Sequence, residues 1–174
     1  MKNIVLIPNL NKDIAEEITS RLIDKLLDLG LNVYSAQKYA DVFSNKIQAY
    51  ADLPTDIDLV IVVGGDGSFL DASVDAISAD VPLIGVNLGK VGYLSEVDRD
   101  NLDVFERLTN GKYVVEERML LSVELKKVGK IYSITRYAVN DVVLSHDSYL
   151  GIADIKLEDS VGNMIKYRAD GLIL

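Results

Sequence analysis

The sequence contains no cysteine, no tryptophan and a single histidine among its 174 residues. The absence of cysteine excludes disulfide frameworks, cysteine-ligated zinc sites and thiol catalysis, and one histidine is too few for a histidine-rich metal site. The groups that remain for chemistry are carboxylates, hydroxyls, amides and the backbone itself.

Positive charge and long apolar runs are also scarce. Lysine and arginine number 18 against 27 aspartates and glutamates, which gives a net charge of −9, so broad nucleic-acid or anionic-membrane binding lacks electrostatic support. No apolar run approaches the roughly 18 residues of a membrane span, and the chain starts with a strand-like run rather than a signal peptide. The sequence therefore predicts a cytoplasmic protein, and a hydrophobic fraction of 49% is sufficient for a packed core.

Residues 1–115 alternate short apolar runs with amphipathic segments. The pattern predicts strands over 4–7, 31–34, 59–63 and 81–86, and helices over 14–29, 39–50, from 69 onward and 101–108. Strands that alternate with helices are typical of a doubly wound α/β domain with a parallel sheet. We expect residues 1–115 to form such a nucleotide-binding domain.

Residues 116–174 show a different period. Apolar residues now alternate one by one with polar residues, which predicts antiparallel strands over 121–126, 131–139, 153–158 and 164–168, with a hairpin at Gly129. The last run, 171–174, is apolar and predicts the start of a further, buried strand. We expect a β-rich second domain that is incomplete in this chain, with an unfinished sheet edge and an uncovered face. Either a partner covers that face or the chain is a fragment.

The segment Gly64-Gly65-Asp66-Gly67 follows the strongest predicted strand and precedes a helix, which is where open α/β sheets bind ligands. Glycines let a phosphate approach the backbone, and a helix N-terminus offers unpaired N–H groups. A carboxylate beside phosphates is repulsive unless it binds a metal or accepts a proton, and both occur in phosphoryl transfer to an alcohol with Mg²⁺. The structural alternative is that Asp66 caps the helix that follows.

A second glycine-rich segment, residues 85–94, follows the next predicted strand. Within it Asn87 can recognise hydroxyls, Lys90 can meet a phosphate and Tyr93 can stack on a base. The alternative is a flexible surface loop with a buried tyrosine.

The β-rich part carries two further polar pairs. Asn140 and Asp141 interrupt an apolar stretch, where buried polar groups need partners such as a ribose diol, although a β-bulge would also explain them. Arg168 and Asp170 are two residues apart in a predicted strand and would project to one face, as a functional pair or as a solvated ion pair. His146 has no assigned role.

Taken in order, these segments resemble the NAD kinase family over essentially the whole chain. The motifs that carry the resemblance are Gly64-Gly65-Asp66-Gly67, the segment 85–94, Glu117-Arg118-Met119-Leu120-Leu121, Asn140-Asp141 and Arg168-Ala169-Asp170-Gly171. The resemblance implies transfer of a phosphoryl group from ATP or polyphosphate to the 2′-hydroxyl of the adenosine ribose of NAD, which gives NADP. It also implies Mg²⁺ or another divalent metal, and a homo-oligomer such as a dimer or tetramer.

The resemblance implies a role for each matching residue. Asp66 would be the catalytic proton acceptor, with Gly65, Gly67 and Asn87 at the substrate. Tyr93 and Leu94 would line the adenine pocket.

In the β-rich part, Asn140 and Asp141 would hold ribose hydroxyls. Arg168 and Asp170 would complete the site, within the chain or from a neighbouring subunit.

The sequence departs from the family pattern at three places. Asp141 stands where many members have glutamate, and Asp71 stands where many have a basic or polar residue. The family continues after its Asp-Gly-hydrophobic stretch into Ser-Thr-Pro-Thr-Gly-Ser-Thr-Ala-Tyr, whereas this chain ends at Leu174. We therefore expect little or no kinase activity from the isolated 174 residues.

Three other functions compete with an NAD kinase. A phosphofructokinase shares Gly-Gly-Asp-Gly-Ser, but it needs a glycine-rich loop after the first strand and a Thr-Ile-Asp-Asn-Asp-like segment, and the sequence has neither. A lipid kinase resembles the same fold plan but leaves the Asn87 segment and the Asn140-Asp141 pair without a role. A non-catalytic nucleotide-binding module is the third alternative.

Overall fold

The computed structural model describes residues 1–43, 46–89, 92–127, 130–146 and 151–174, without the side chains of 127 and 130–135. Over these residues the chain divides into two compact units, Met1–Glu116 and Glu117–Leu174. No helix of the described residues has both the length and the apolar character needed to cross a membrane.

The first unit alternates strands and helices. Its strands are β1 (Asn3–Pro8), β2 (Asn32–Ala36), β3 (Gln48–Tyr50), β4 (Leu59–Gly64), β5 (Leu83–Asn87) and β6 (Val97–Asp98). Its helices are α1 (Ala15–Asp28), α2 (Gln37–Ala40), α3 (Asp66–Ala79) and α4 (Glu106–Asn110), with a 3₁₀ helix over Leu102–Phe105.

The six strands form one sheet in the order β3-β2-β1-β4-β5-β6, and every pairing is parallel. All six residues of β4 are buried, as an apolar strand covered on both faces requires. Alternate residues of this strand belong to two cores: Ile61 and Val63 pack with α1 on one face, and Val60 and Val62 pack with α3 on the other. The predicted doubly wound α/β fold is therefore confirmed.

Helix α1 follows directly from its sequence. Its apolar residues recur every three or four positions, and Ile18, Leu22 and Leu26 are buried against the sheet while charged residues face water. The helix ends at Asp28, and Gly30 has a φ of 74°, a left-handed conformation that glycine adopts without steric cost. The predicted glycine stop is confirmed.

The helix predicted over 39–50 is wrong in most of its length. Helix α2 ends at Ala40, and residues 48–50 form β3, which pairs in parallel with β2. Pairing with β2 supplies hydrogen bonds to the backbone of these residues, and three residues are too few to show a period in the sequence. The two-residue strand β6 was not predicted for the same reason.

The regular elements of the second unit, over its described residues, are all strands. They are β7 (Leu121–Lys127), β8 (Lys130–Ala138), β9 (Val143–Ser145), β10 (Ala153–Glu158), β11 (Met164–Ala169) and β12 (Gly171–Ile173). They pair as three antiparallel two-stranded sheets, β7 with β8, β9 with β12 and β10 with β11, which confirms the predicted antiparallel strands. The last run does form a strand, but Ile173 is 69% exposed, so the expectation that it is buried is wrong.

Candidate active site

The order of the parallel strands reverses between β1 and β4, and ligands of open α/β sheets bind beside the carboxyl ends of strands at such a point. The two strand ends are held together there. The backbone N–H of Asn9, after β1, donates to the carbonyl oxygen of Val63 at 2.8 Å. Asn9 Nδ2 also donates to Ser68 Oγ in the first turn of α3 at 2.7 Å.

The glycines of the Gly64-Gly65-Asp66-Gly67 turn have different surroundings. A Cβ atom added at Gly64 would lie 2.6 Å from both Cβ and Oγ of Ser68, so the chain's own packing requires glycine there. A Cβ added at Gly67 would meet nothing within 4 Å. The exposed backbone at Gly67 is therefore open to a ligand, whereas Gly64 is filled by the protein.

Asp66 is the first residue of α3, and Gly65 occupies the cap position before it. The Asp66 carboxylate points at a neighbouring turn: Oδ2 accepts the backbone N–H of Tyr93 at 3.0 Å, and Oδ1 accepts that of Leu94 at 3.2 Å. Asp66 therefore does not cap its own helix. The alternative interpretation from the sequence is wrong.

The hydrogen bonds set the ionisation of Asp66. The N–H of Tyr93 has the largest effect in holding the pKa of the Asp66 carboxyl below its ordinary value. The N–H groups of Leu94 and Ser95 and the positive charge of Lys12 act in the same direction, against the effect of partial burial. Asp66 is therefore ionised at neutral pH, and its carboxylate can accept a proton or a hydrogen bond.

Residues of the second glycine-rich segment lie beside Asp66. Asn87 ends β5, and its Oδ1 accepts the N–H of Gly89 at 2.9 Å. Tyr93 is 90% exposed and Leu94 is half-buried, so the alternative interpretation of a loop with a buried tyrosine is wrong. Lys90 lies outside the described residues.

Two residues near the glycine turn were missed by the sequence analysis. Lys12 Nζ would lie 3.1 Å from a Cβ placed on Gly65, so the ammonium group sits over the glycine turn. Asn9 fixes the same loop through its hydrogen bonds to Val63 and Ser68. Both residues follow β1 within four positions, and the sequence signal that could have found them is an Asn and a Lys directly after the first strand, next in the sheet to β4.

A groove of about 450 Å³ adjoins this corner. Its wall includes the residues after β1, the exposed side of α3 and helix α2, with Asn9, Lys38, Ser68, Asp71 and Asp75 among the lining residues. Asp71, one of the departures from the family pattern, therefore lines this groove.

The second unit carries the other four predicted residues. Asn140 and Asp141 lie in the bend between β8 and β9, and both are exposed. The expectation that they interrupt a buried strand is wrong, because the chain leaves the sheet at Ala138 and water can solvate both side chains. Their polar groups remain available to a ligand.

Arg168 and Asp170 do not form the predicted pair within one strand. Arg168 is in β11 and its Nε lies 3.9 Å from Asp154 Oδ1 of β10, directly opposite in the register. Asp170 lies between β11 and β12, and its carbonyl oxygen accepts the N–H of His146 at 3.2 Å. Because the chain turns after Ala169, the two side chains do not share one strand face.

The structure thus brings one set of predicted residues together in the first unit, beside the carboxyl ends of β4 and β5: Gly65, Asp66, Gly67, Asn87, Tyr93 and Leu94. The described residues include no group of three or more His, Asp or Glu side chains that could hold a metal ion unaided. The chemistry available at this edge is an ionised carboxylate beside open glycine backbone, a lysine ammonium and an exposed aromatic ring.

Comparison with known proteins agrees with this arrangement. The family model described as the ATP-NAD kinase N-terminal domain matches residues 4–113. The NAD kinase of Natranaerobius thermophilus is 33% identical over the whole chain, and that of Acetivibrio thermocellus is 34% identical. The chain spans 62% and 61% of the length of these two relatives.

A solved structure has the same fold. The crystal structure of yeast NADH kinase complexed with NADH superimposes with a TM-score of 0.82 and 20% sequence identity, over 99% of this chain and 54% of that one. At this identity the likeness concerns the fold alone. The matched family model covers the glycine turn, Asp66 and the Tyr93 segment, and the chain belongs to the ATP-NAD kinase family.

Proposed function

We propose that this protein transfers a phosphoryl group to the 2′-hydroxyl of the adenosine ribose of NAD and so produces NADP. The observation that carries the proposal is the ionised Asp66 carboxylate beside open glycine backbone at the switch point of the sheet. Membership of the ATP-NAD kinase family supports the same assignment.

In this reaction Asp66 accepts the proton of the ribose hydroxyl while the hydroxyl oxygen attacks the terminal phosphorus of the donor. The bond from that phosphorus to its bridging oxygen breaks, and the oxygen leaves with ADP or with the shortened polyphosphate. The carboxylate has about four lone-pair directions, of which two accept backbone N–H groups, so a hydroxyl can still approach. The lowered pKa keeps the group deprotonated at neutral pH, although it makes Asp66 a weak base.

The donor is ATP or polyphosphate. Its phosphates approach the open backbone of Gly67 and the turn at Gly65, over which Lys12 supplies positive charge. A Mg²⁺ ion in phosphoryl transfer is typically held by one or two carboxylates and the phosphates themselves, so we treat the metal as part of the donor substrate. In an acidic chain this local positive charge matters, because the overall field repels phosphates.

Asn87, Tyr93 and Leu94 contact NAD from the first unit. Four exposed residues contribute ribose and further contacts, from the same chain or from a second copy in a dimer or tetramer: Asn140, Asp141, Arg168 and Asp170.

We further propose that the 174-residue chain alone has little kinase activity, because the NAD kinases it matches are considerably longer. The test measures NADP formation with this chain and with the chain extended by the C-terminal part of the Natranaerobius relative. We expect NADP from the extended chain and almost none from the shorter one. Absence of NADP from both, with NAD bound in calorimetry, would favour a non-catalytic nucleotide-binding module.

The role of Asp66 is tested in the extended chain. Asp66→Asn removes the proton acceptor, so we expect kcat to fall roughly 10²–10⁴-fold. The matched control is Asp28→Asn, an exposed carboxylate at the end of α1, which should leave kcat unchanged. A kcat for Asp66→Asn within about threefold of wild type would rule out Asp66 as the general base.

A further inference from the structure

The turn formed by residues 92–95, here the Tyr93 turn, is fastened to α3 through a single side chain. Asp66 accepts the N–H groups of two successive residues of this turn, Tyr93 at 3.0 Å and Leu94 at 3.2 Å, one with each carboxylate oxygen. Hydrogen bonds to an ionised acceptor are stronger than those between neutral groups. Asp66 therefore fixes the two peptide groups on either side of the Tyr93 Cα atom.

The surroundings of the Tyr93 turn are closely fitted. A Cβ added at Gly92 would lie 2.9 Å from Asn87 Nδ2 and 3.4 Å from Asp66 Oδ1. A Cβ added at Gly85 in β5 would lie 2.6 Å from Ser95 Oγ and 2.9 Å from Ser95 Cα. Glycine at both places lets the turn lie directly against the ends of β5 and α3.

The side chain of Tyr93 contrasts with its backbone. The N–H is held by Asp66, while the side chain is 90% exposed. A large aromatic ring in water gains nothing from burial, so packing of the ring does not explain the restraint on its backbone. A ring held at a ligand-binding edge of the sheet is instead suited to stacking on a nucleotide base.

We propose that Asp66 is a positioning residue for Tyr93: its carboxylate orders the Tyr93 turn and so places the exposed ring for stacking on the base of the nucleotide. The stacking step rests on the proposed function, whereas the ordering of the turn does not. The inference adds a second task to Asp66, and loss of activity on its substitution then has two origins, proton transfer and placement of the ring.

Amide hydrogen exchange tests the ordering of the turn on the 174-residue chain without any assay of activity. Asp66→Ala removes both acceptors, and Asp66→Asn keeps one oxygen. We expect the N–H groups of Tyr93 and Leu94 to exchange about tenfold faster in Asp66→Ala, and only one of them faster in Asp66→Asn.

The control for the exchange experiment is Asp71→Asn, on the same helix and with no hydrogen bond to the described part of the turn. It should leave both exchange rates unchanged. Unaltered protection of the β4 amides shows that each variant is folded. If Asp66→Ala does not fold, the exchange rates of Asp66→Asn alone decide the test. Wild-type rates for both amides in a folded Asp66 variant would overturn the proposal.

Binding of NAD then tests the link to Tyr93. Calorimetry compares Asp66→Asn, Tyr93→Ala and the double variant. If Asp66 acts through Tyr93, the double variant binds no more weakly than the weaker single variant, because the same contact is lost twice. Losses that multiply would overturn the positioning role. Failure of the wild-type chain to bind NAD would contradict the proposed nucleotide site in this chain, and the exchange rates would still decide whether Asp66 orders the turn.

Discussion

Thr19 is a buried side chain whose hydroxyl has no hydrogen-bond partner among the described residues. It lies in α1 and is 0% exposed. An unpaired buried hydroxyl costs about 1–3 kcal/mol, and valine has nearly the same shape without the polar atom. We expect Thr19→Val to raise the free energy of unfolding of the first unit by about 1 kcal/mol in urea titrations.

The control for Thr19 is Thr55→Val, an exposed threonine in a turn, which should change stability by less than about 0.5 kcal/mol. A lower stability of Thr19→Val would mean that its hydroxyl forms a bond in solution that the structure lacks.

At the residue scale, the sequence located the glycine turn but did not show which of its glycines are required for packing and which are open to a ligand. The Gly-Gly-Asp-Gly motif predicted a turn at a strand end, and the turn is present. It could not distinguish Gly64, which Ser68 excludes from bearing a side chain, from Gly67, which faces open space. That difference depends on neighbours brought close by folding, as does the place of Lys12 above Gly65.

Among the elements, Asp58 joins the start of β1 to the segment before β4. Its Oδ2 accepts the backbone N–H groups of Lys2 and Asn3, and the bond from Asn3 has the largest effect in lowering the pKa of this carboxyl. A carboxyl whose pKa is lowered by folding stabilises the protein above its unfolded pKa of about 3.9. That stabilisation is lost as the pH falls through the lower pKa of the folded state.

We therefore expect Asp58→Asn to lower the melting temperature of the first unit by a few degrees at pH 7, as expected for about 1 kcal/mol in a chain of this size. The difference from wild type should shrink as the pH falls below about 4 towards the lower pKa of folded Asp58, because the wild-type carboxylate then becomes protonated as well. Thermal melts between pH 3 and 7 measure this, with the exposed Asp52→Asn as control. A difference that stays constant with pH would exclude the carboxylate as its cause.

Elements with a clear period or a long apolar run were predicted from the sequence, and elements defined by pairing were not. Helix α1 and strand β4 follow from their own residues, since one shows a buried stripe and the other is buried throughout. Strand β3 forms because β2 supplies hydrogen bonds to its backbone. Asn140 lies in a bend because β8 ends at Ala138 and the chain then leaves the sheet. Such boundaries depend on partners that are distant in the sequence or on solvent.

On the scale of the whole molecule, the two units differ in how much apolar surface they bury. The first unit has a core on each face of its sheet. In the described part of the second unit, Ile155 is the only hydrophobic side chain in the buried class, whereas Leu125, Tyr137, Val143, Met164 and Ile165 are at least half exposed. Stability that comes from apolar burial must therefore reside mainly in residues 1–116.

This difference predicts that residues 1–116 fold alone. A chain cut after Glu116 keeps both cores, so its melting temperature should lie within a few degrees of the main transition of the 174-residue chain, measured by circular dichroism. Residues 117–174 alone should show no cooperative transition, because a short chain with so few buried side chains cannot offset its conformational entropy.

Exposed apolar surface binds the dye ANS, so the 174-residue chain should enhance ANS fluorescence more strongly than residues 1–116 do. A cooperative melt of the isolated second unit, or equal ANS fluorescence from the two chains, would show that the second unit buries its apolar side chains in solution.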